Sequence, residues 1–319
     1  MNKIITIFVL FIAVILGCII WWKNNISPAN PNDNKSMIFV IEKGTGLKEI
    51  SSNLSEAKLI KSRIVFFLYT RLHRYEGKIQ AGDFRLNPSM SVEQIAQNLT
   101  HGTLDMWVTI PEGQRATEIA ETLQETIPTY NQSWKGALIL NEGYLFPDTY
   151  LISKDANIET IVKQLKENFE QKYSGIDTSK STLTKRDIII LASLIEREAI
   201  TDEEKPIIAG ILMNRLNIGM ALQVDATIQY AKGQNLVTKK WWGPIDIQEY
   251  RSVTSSYNTY LQPGFPPGPI SNPGLEALKA AANPADTDYL YYIHDKNGQI
   301  RYAKTLEEHN ANIEKYGTN

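Results

Sequence analysis

The sequence predicts an α+β protein built as an N-terminal transmembrane helix, a small α+β unit and a larger, helix-rich α+β domain. Three observations carry that reading. An uncharged apolar run opens the chain. Short strand-like stretches then alternate with helical ones as far as residue 104, and helical periodicity dominates from residue 105 onward. The 319 residues leave room for an anchor and one or two globular domains. Hydrophobic residues at 43 % and charged residues at 21 % are the proportions of a folded chain.

Residues 1–23 read as the membrane anchor. From Ile4 to Trp22 there is no charge and almost no polar side chain, and Lys3 and Lys23 flank the run. At about 1.5 Å per residue it just crosses a hydrocarbon core of about 30 Å. Trp21 and Trp22 fall where an aromatic belt would lie, with Lys23 reaching the headgroups of the lipid bilayer. A cleaved signal peptide needs a small-x-small exit, and the stretch from Cys18 to Trp22 offers none. A lipoprotein site ending at Cys18 fits poorly with the apolar residues that follow it. An uncleaved signal anchor is therefore expected, although two flanking lysines do not fix its orientation. Residues 24–37, rich in Asn, Pro and Ser, read as a polar linker.

Residues 38–104 form the small unit. Phe39-Val40-Ile41 leads to Gly44 and then to the helical Glu49–Leu54. The same pattern returns as Trp107–Ile110, Gly113 and Glu118–Leu123, and its helical part alone returns as Glu93–Leu99. This strand, glycine turn and helix resembles LysM modules, which bind glycans rich in N-acetylglucosamine. Without the rest of the chain, a generic α+β domain that merely spaces the region after it is the preferred reading at this point.

Residues 105–319 form the large region. Glu142–Tyr150 is a dense aromatic segment, and Ile158–Tyr173 has the periodicity of an amphipathic helix. Thr184 and Asp187 open a helix that runs through Leu191, Leu194 and Ile195 to about Ala199. Thr201 and Glu204 are placed to open the next, which ends near Gly219. Asn272 before Pro273 reads as the cap of another. Lys296-Asn297-Gly298 is the turn of a hairpin between Tyr289–Ile293 and Ile300–Ala303, and Thr305 opens the last helix.

Composition removes several function classes. A net charge of −2 gives no basic footprint for nucleic acid. Cys18 is the only cysteine, so there is no disulfide framework and no cysteine metal site. The four histidines lack metal-ligand spacing, and neither a nucleophile elbow nor a phosphate-binding loop is present. No metal or cofactor is expected.

What remains is carboxylate chemistry. Glu196 and Glu198 are two apart, about 200° around a helix, and so point to different sides. Glu198 continues the apolar line of Leu191, Leu194 and Ile195, whereas Glu196 follows Ala192 and Ser193. A carboxyl on an apolar line is either paired, with Arg215 a candidate partner, or desolvated. Desolvation raises its pKa, as a general acid at neutral pH requires. In Leu222–Thr227 apolar and polar residues alternate, which would project Gln223, Asp225 and Thr227 together, with Asp225 equally suited to cap a helix. Tyr257-Asn258-Thr259-Tyr260 precedes the proline-rich Gly264–Ile270, a combination that suits the rim of a sugar groove or a rigid structural loop.

These segments together resemble the endolytic murein transglycosylases, the MltG or YceG-like family. The resemblance runs through Glu142–Tyr150, Ala192–Glu198, Asn214-Arg215-Leu216, Leu222-Gln223-x-Asp225, Tyr257–Tyr260, Pro266–Ile270 and Glu308-His309-Asn310, in that order. It implies a lytic transglycosylase that cleaves between N-acetylmuramic acid and N-acetylglucosamine in peptidoglycan glycan strands, leaving 1,6-anhydro ends and terminating strand elongation. Glu198 is then the catalytic residue, and Glu142, Gln223, Asp225, Tyr257 and Asn258 are candidate substrate contacts. The resemblance also implies a LysM-like small unit and a single pass through the bacterial cytoplasmic membrane, with the catalytic region on its outer side. Peptidoglycan synthases become candidate partners. A glycan hydrolase, in which Asp225 or Glu142 activates water, and a non-catalytic wall-binding scaffold are the alternatives. Many members carry His near position 300, where this chain has Ile300, and this weighs against substrate contact by the last hairpin.

Overall fold

The computed structural model describes residues 2–100, 105–154 and 156–317, without the side chains of residues 2–12. The chain divides into two compact units. One comprises residues 1–107 and 151–155, the other residues 108–150 and 156–319.

The smaller unit begins with α1 (Asn2–Ile26), a 25-residue helix. Among the described residues no helix is long and apolar enough to cross a membrane, and residues 4–12 of the expected anchor lie outside the described side chains. The end of α1 does not lead into a free spacer. Trp22 and Ile26 pack on the core of the small unit, Lys61 Nζ donates to Asn24 O at 3.1 Å, and Asn30 N donates to Pro88 O. Much of the expected linker is thus laid against the unit.

Next come β1 (Met37–Ile41), α2 (Leu47–Glu56), α3 (Arg63–Leu72), β2 (Gly82–Leu86) and α4 (Val92–Thr100). β1 and β2 pair antiparallel, with Phe39 opposite Phe84. Those two rings join Leu54, Phe66, Leu86, Ile95 and Leu99 in a core that the helices close over. Each such fully buried side chain stabilises the fold by about 1.5–3 kcal/mol. The reverse turn between β1 and α2 passes through Gly44 at φ +95°, a backbone angle that side chains with a Cβ disfavour.

The strand, glycine and helix pattern recurs as β3 (Asp105–Thr109), Gly113 and α5 (Ala116–Thr126), but α5 belongs to the larger unit. The repeat therefore crosses the division between units rather than filling one module. β3 pairs with β4 (Thr149–Ser153), with α6 (Trp134–Ile139) between them in sequence.

The larger unit continues with α7 (Ile158–Ser174), α8 (Lys185–Glu198), α9 (Lys205–Asn217), α10 (Asp225–Lys232), the short α11 (Glu249–Ser252) and α12 (Leu275–Ala282). It closes with the hairpin β5 (Tyr291–His294) and β6 (Ile300–Ala303), then α13 (Leu306–Tyr316). α8 is its central element, with every residue from Ile188 to Ile195 buried. A helix apolar on all sides must be surrounded, and residues of α7, α9, α10 and α12 share its core. Thr184 caps α8 as expected, its hydroxyl accepting from Asp187 N, which contributes about 1 kcal/mol.

Two expected helix starts are corrected. α9 begins at Lys205, not Thr201, because the Glu204 carboxylate accepts from the amides of Ile200 and Thr201 and holds them in a preceding turn. α12 begins at Leu275 after Gly274, and the Asn272 side chain is engaged elsewhere.

Candidate active site

Glu198 is the last residue of α8, where the helix emerges from the core. It lines a cleft of about 410 Å³ together with Arg215 of α9, Gln223, Asp225 of α10, Tyr260 and β5. Tyr292 Oη donates to Glu198 Oε2 at 2.6 Å, and the Ala226 amide at the N-terminus of α10 is a second donor. Burial pushes the Glu198 pKa up, and the Asp225 charge pushes it further. Tyr292, the Ala226 amide and His294 pull the other way. Desolvation is the largest influence, so the carboxyl holds its proton above the usual carboxylate range.

Glu196 turns to the other side, as the two-residue spacing requires. It accepts from Gly274 N at 2.9 Å and pairs with Lys205 Nζ at 3.4 Å, both side chains being less than 10 % exposed. Arg197 between them neutralises neither carboxylate directly. Its guanidinium lies 4.0 Å from the centre of the Trp242 ring.

The suggested ion pair between Arg215 and Glu198 is not formed. Arg215 donates to the carbonyl oxygens of Leu290 and Leu222, fixing the approach to β5 and the segment ahead of α10. That leaves Glu198 to Tyr292.

Asp225 is the first residue of α10 rather than its cap. Its carboxylate accepts from Tyr260 Oη at 2.6 Å and from Tyr250 Oη at 3.4 Å. This pins the charge at the cleft wall. Gln223 is exposed and lines the same cleft, whereas Thr227 is fully buried against Thr259, so the three do not project together. Two of them do.

Three expected contacts fall outside this cleft. Asn258 is fully buried, donating to the carbonyls of Tyr250 and Val253 and accepting from Tyr260 N. It positions Tyr260, and the expectation that it touches glycan is corrected accordingly. Tyr257 packs against Tyr230, ring centres 4.8 Å apart. Glu142 is buried elsewhere in the unit, accepting from Ala116 N at 2.8 Å and Asn272 Nδ2 at 2.9 Å, and burial pushes its pKa up to about 8.

The last hairpin, in contrast, lines the cleft with Tyr291, Tyr292, Ile293 and His294, and α13 adds Leu306 and His309. Ile300, which weighed against substrate contact by this hairpin, does not keep the hairpin from lining the cleft. Ile300 lies on β6, opposite His294 in the register, and packs on the core, while β5 faces the carboxyl. The tyrosine-rich Tyr289–Tyr292 segment was the available signal for Tyr292. Among the described residues no cluster of three or more His, Cys, Asp or Glu is placed to hold a metal ion.

Comparisons with known proteins place the whole chain. A family model described as the YceG-like family matches residues 39–315. A Bacillus subtilis protein named endolytic murein transglycosylase is 31 % identical, covering 95 % of this chain and 91 % of its own. A Streptococcus pneumoniae protein of the same name is 30 % identical over 91 % of this chain, which spans only 60 % of that relative. The crystal structure of a YceG-like protein from Listeria monocytogenes is similar at a TM-score of 0.56 and 28 % identity, covering 87 % of this chain and 99 % of that one. On the extent of these matches, the chain belongs to the YceG-like family.

Proposed function

We propose that this protein is an endolytic peptidoglycan transglycosylase with Glu198 as both acid and base. The observation that carries this reading is a single carboxyl whose pKa is raised by burial, presented at a cleft and held by a tyrosine and a helix N-terminus. Protonated Glu198 donates to the glycosidic oxygen as the bond to C1 of N-acetylmuramic acid breaks, and N-acetylglucosamine leaves with its hydroxyl restored. The Glu198 carboxylate so formed gains from the Tyr292 hydroxyl and the Ala226 amide. It then takes the proton of the sugar's own 6-hydroxyl as that oxygen bonds C1, leaving a 1,6-anhydro end. An internal hydroxyl acts at a high effective concentration, so no second carboxylate has to activate water. Asp225, anionic at the wall, favours positive charge developing on the sugar ring.

The curated relatives' name supports the same reaction class. Hydrolysis is the second reading, favoured by one observation: Asp225 lines the same cleft and is a carboxylate able to activate water. Glu142 has no such place. Purified glycan strands digested by the full-length protein and analysed by mass spectrometry decide between them. Anhydro ends support the transglycosylase, and reducing ends overturn it.

The setting at the membrane is part of this proposal. α1 anchors the chain in the cytoplasmic membrane with the larger unit on its outer side, supported by the uncharged run from Ile4 to Trp22. N-terminal sequencing of the mature protein that starts at Cys18 or later would refute the anchor. The small unit acts as a LysM-like module that adds glycan affinity. Its β1, Gly44 turn and α2 support this, as does a groove of about 940 Å³ along α2 and α3. Cleavage of nascent strands at the membrane would terminate their elongation and bring the enzyme beside peptidoglycan synthases.

A further inference from the structure

A second cleft, of about 780 Å³, lies beside the catalytic one. Gln223 and Tyr260 line both, so the two meet at these side chains. The rest of its wall has no part in the chemistry: Ile247, Gln248, Arg251 and Leu261, with Tyr250 behind them. Ile247 is 84 % exposed and Leu261 42 %, so apolar surface is left bare in the groove, beside the polar ends of Gln223, Gln248 and Arg251. The Tyr250 ring stacks on Tyr260 with centres 4.4 Å apart, and both hydroxyls are tied to Asp225. The wall is preformed.

Gln223 marks the junction. Its backbone adopts φ +51°, a left-handed conformation that costs a residue with a Cβ on the order of 1 kcal/mol. Neighbours on both sides hold it there. Leu222 and Val224 are fully buried, Gln223 N donates to Thr259 O at 3.1 Å, and Val224 N donates to Thr259 Oγ1 at 3.0 Å. The result of this strained link is an exposed amide side chain where the clefts join. Strain retained at such a point is a mark of use.

We infer that the second cleft is a further subsite for the glycan strand, holding sugars beyond those that flank the cut. The identity of the ligand rests on the function proposed above. A polymer cut internally has to continue past a cleft of about 410 Å³, and the second cleft is where that cleft continues. Its chemistry suits amino sugars. Ile247 and Leu261 offer apolar surface to the C–H face of a pyranose ring, and the amides of Gln223 and Gln248 match acetamido groups.

Binding to the full-length protein carrying Glu198→Gln, in detergent, tests this without turnover. Calorimetry would follow peptidoglycan oligosaccharides of increasing length, with and without the added pair Ile247→Ala and Leu261→Ala. Arg251→Ala serves as an independent second variant, and thermal melts check the fold. The affinity of the parent should rise with length and then level off. The double variant should lose about tenfold for long strands and nothing for the shortest oligosaccharide that binds. Equal losses at all lengths, no loss at any length, or no glycan binding at all would each overturn the subsite. Wild-type protein that shows this length dependence yet leaves strands uncut would support the subsite and sink the enzymatic reading alone.

Discussion

Two glutamates two positions apart in α8 reach opposite chemistries, and their partners explain why. Glu196 has a buried lysine and a backbone amide, so its charge is matched. Glu198 has only neutral donors in its first contacts and an anionic neighbour, Asp225, so its proton is retained. Glu198→Gln should therefore cut turnover on glycan strands by at least ~10²–10⁴-fold, the usual contribution of a general acid. Glu196→Gln should keep most activity. A dead Glu196→Gln protein beside an active Glu198→Gln one would reverse the assignment. A subtler test uses the alkaline limb of kcat/KM, where a general acid loses its proton and activity falls. Tyr292→Phe removes a donor that favours the anion, so the limb should move to higher pH. Asp225→Asn removes a charge that disfavours the anion, so the limb should move lower. Limbs that shift in the same direction, or not at all, would show that Glu198 does not govern the profile.

At the scale of elements, the sequence disclosed what depends on neighbours along the chain and missed what depends on distant ones. Ile158–Tyr173, the Thr184 cap, the turn at Lys296–Gly298 and the Thr305 cap were all legible, because each rests on local periodicity or a side chain bonding three residues away. The place of Glu198, at the end of the apolar line of α8, was legible for the same reason. Tyr292 was not, since it meets Glu198 across 94 positions. Asn272 is the clearest miss. Before a proline it resembles a cap, yet its Oδ1 accepts from Gly143 and Leu145 amides, and its Nδ2 donates to Gln114 O and Glu142. It joins the start of α12 to two segments far away in the chain. Asn272→Ala should destabilise the protein by about 3–5 kcal/mol, since several buried polar groups lose their partner together. Denaturant unfolding would measure this, and a loss under about 1 kcal/mol, the size expected for a simple cap, would restore the local reading.

Across the whole molecule, desolvated carboxyls bias stability toward mild acid. Asp105, Glu112, Glu142 and Glu198 all have their pKa values raised, in each case chiefly by desolvation. Glu142 sets the window, because its pKa moves from 4.5 to about 8. In this range the folded state binds more protons than the unfolded one, so stability falls as pH rises. The contribution is fully present below 4.5 and is lost as the pH passes through about 8. Glu142→Gln should remove most of that slope. The glutamine oxygen can still accept from Ala116 N and Asn272 Nδ2, both of which meet Glu142 Oε1, and its amide replaces the acid proton. The variant should match wild type near pH 5 and exceed it at pH 8 by a few kcal/mol, from about 1.4 kcal/mol per unit of pKa shift. At about 2–4 °C per kcal/mol for a unit of this size, that is a gain of several degrees in Tm. Melts from pH 4.5 to 8.5 would decide it. If wild type and variant lose stability in parallel across the range, Glu142 is not the proton-binding group and the slope belongs to Asp105, Glu112 or Glu198.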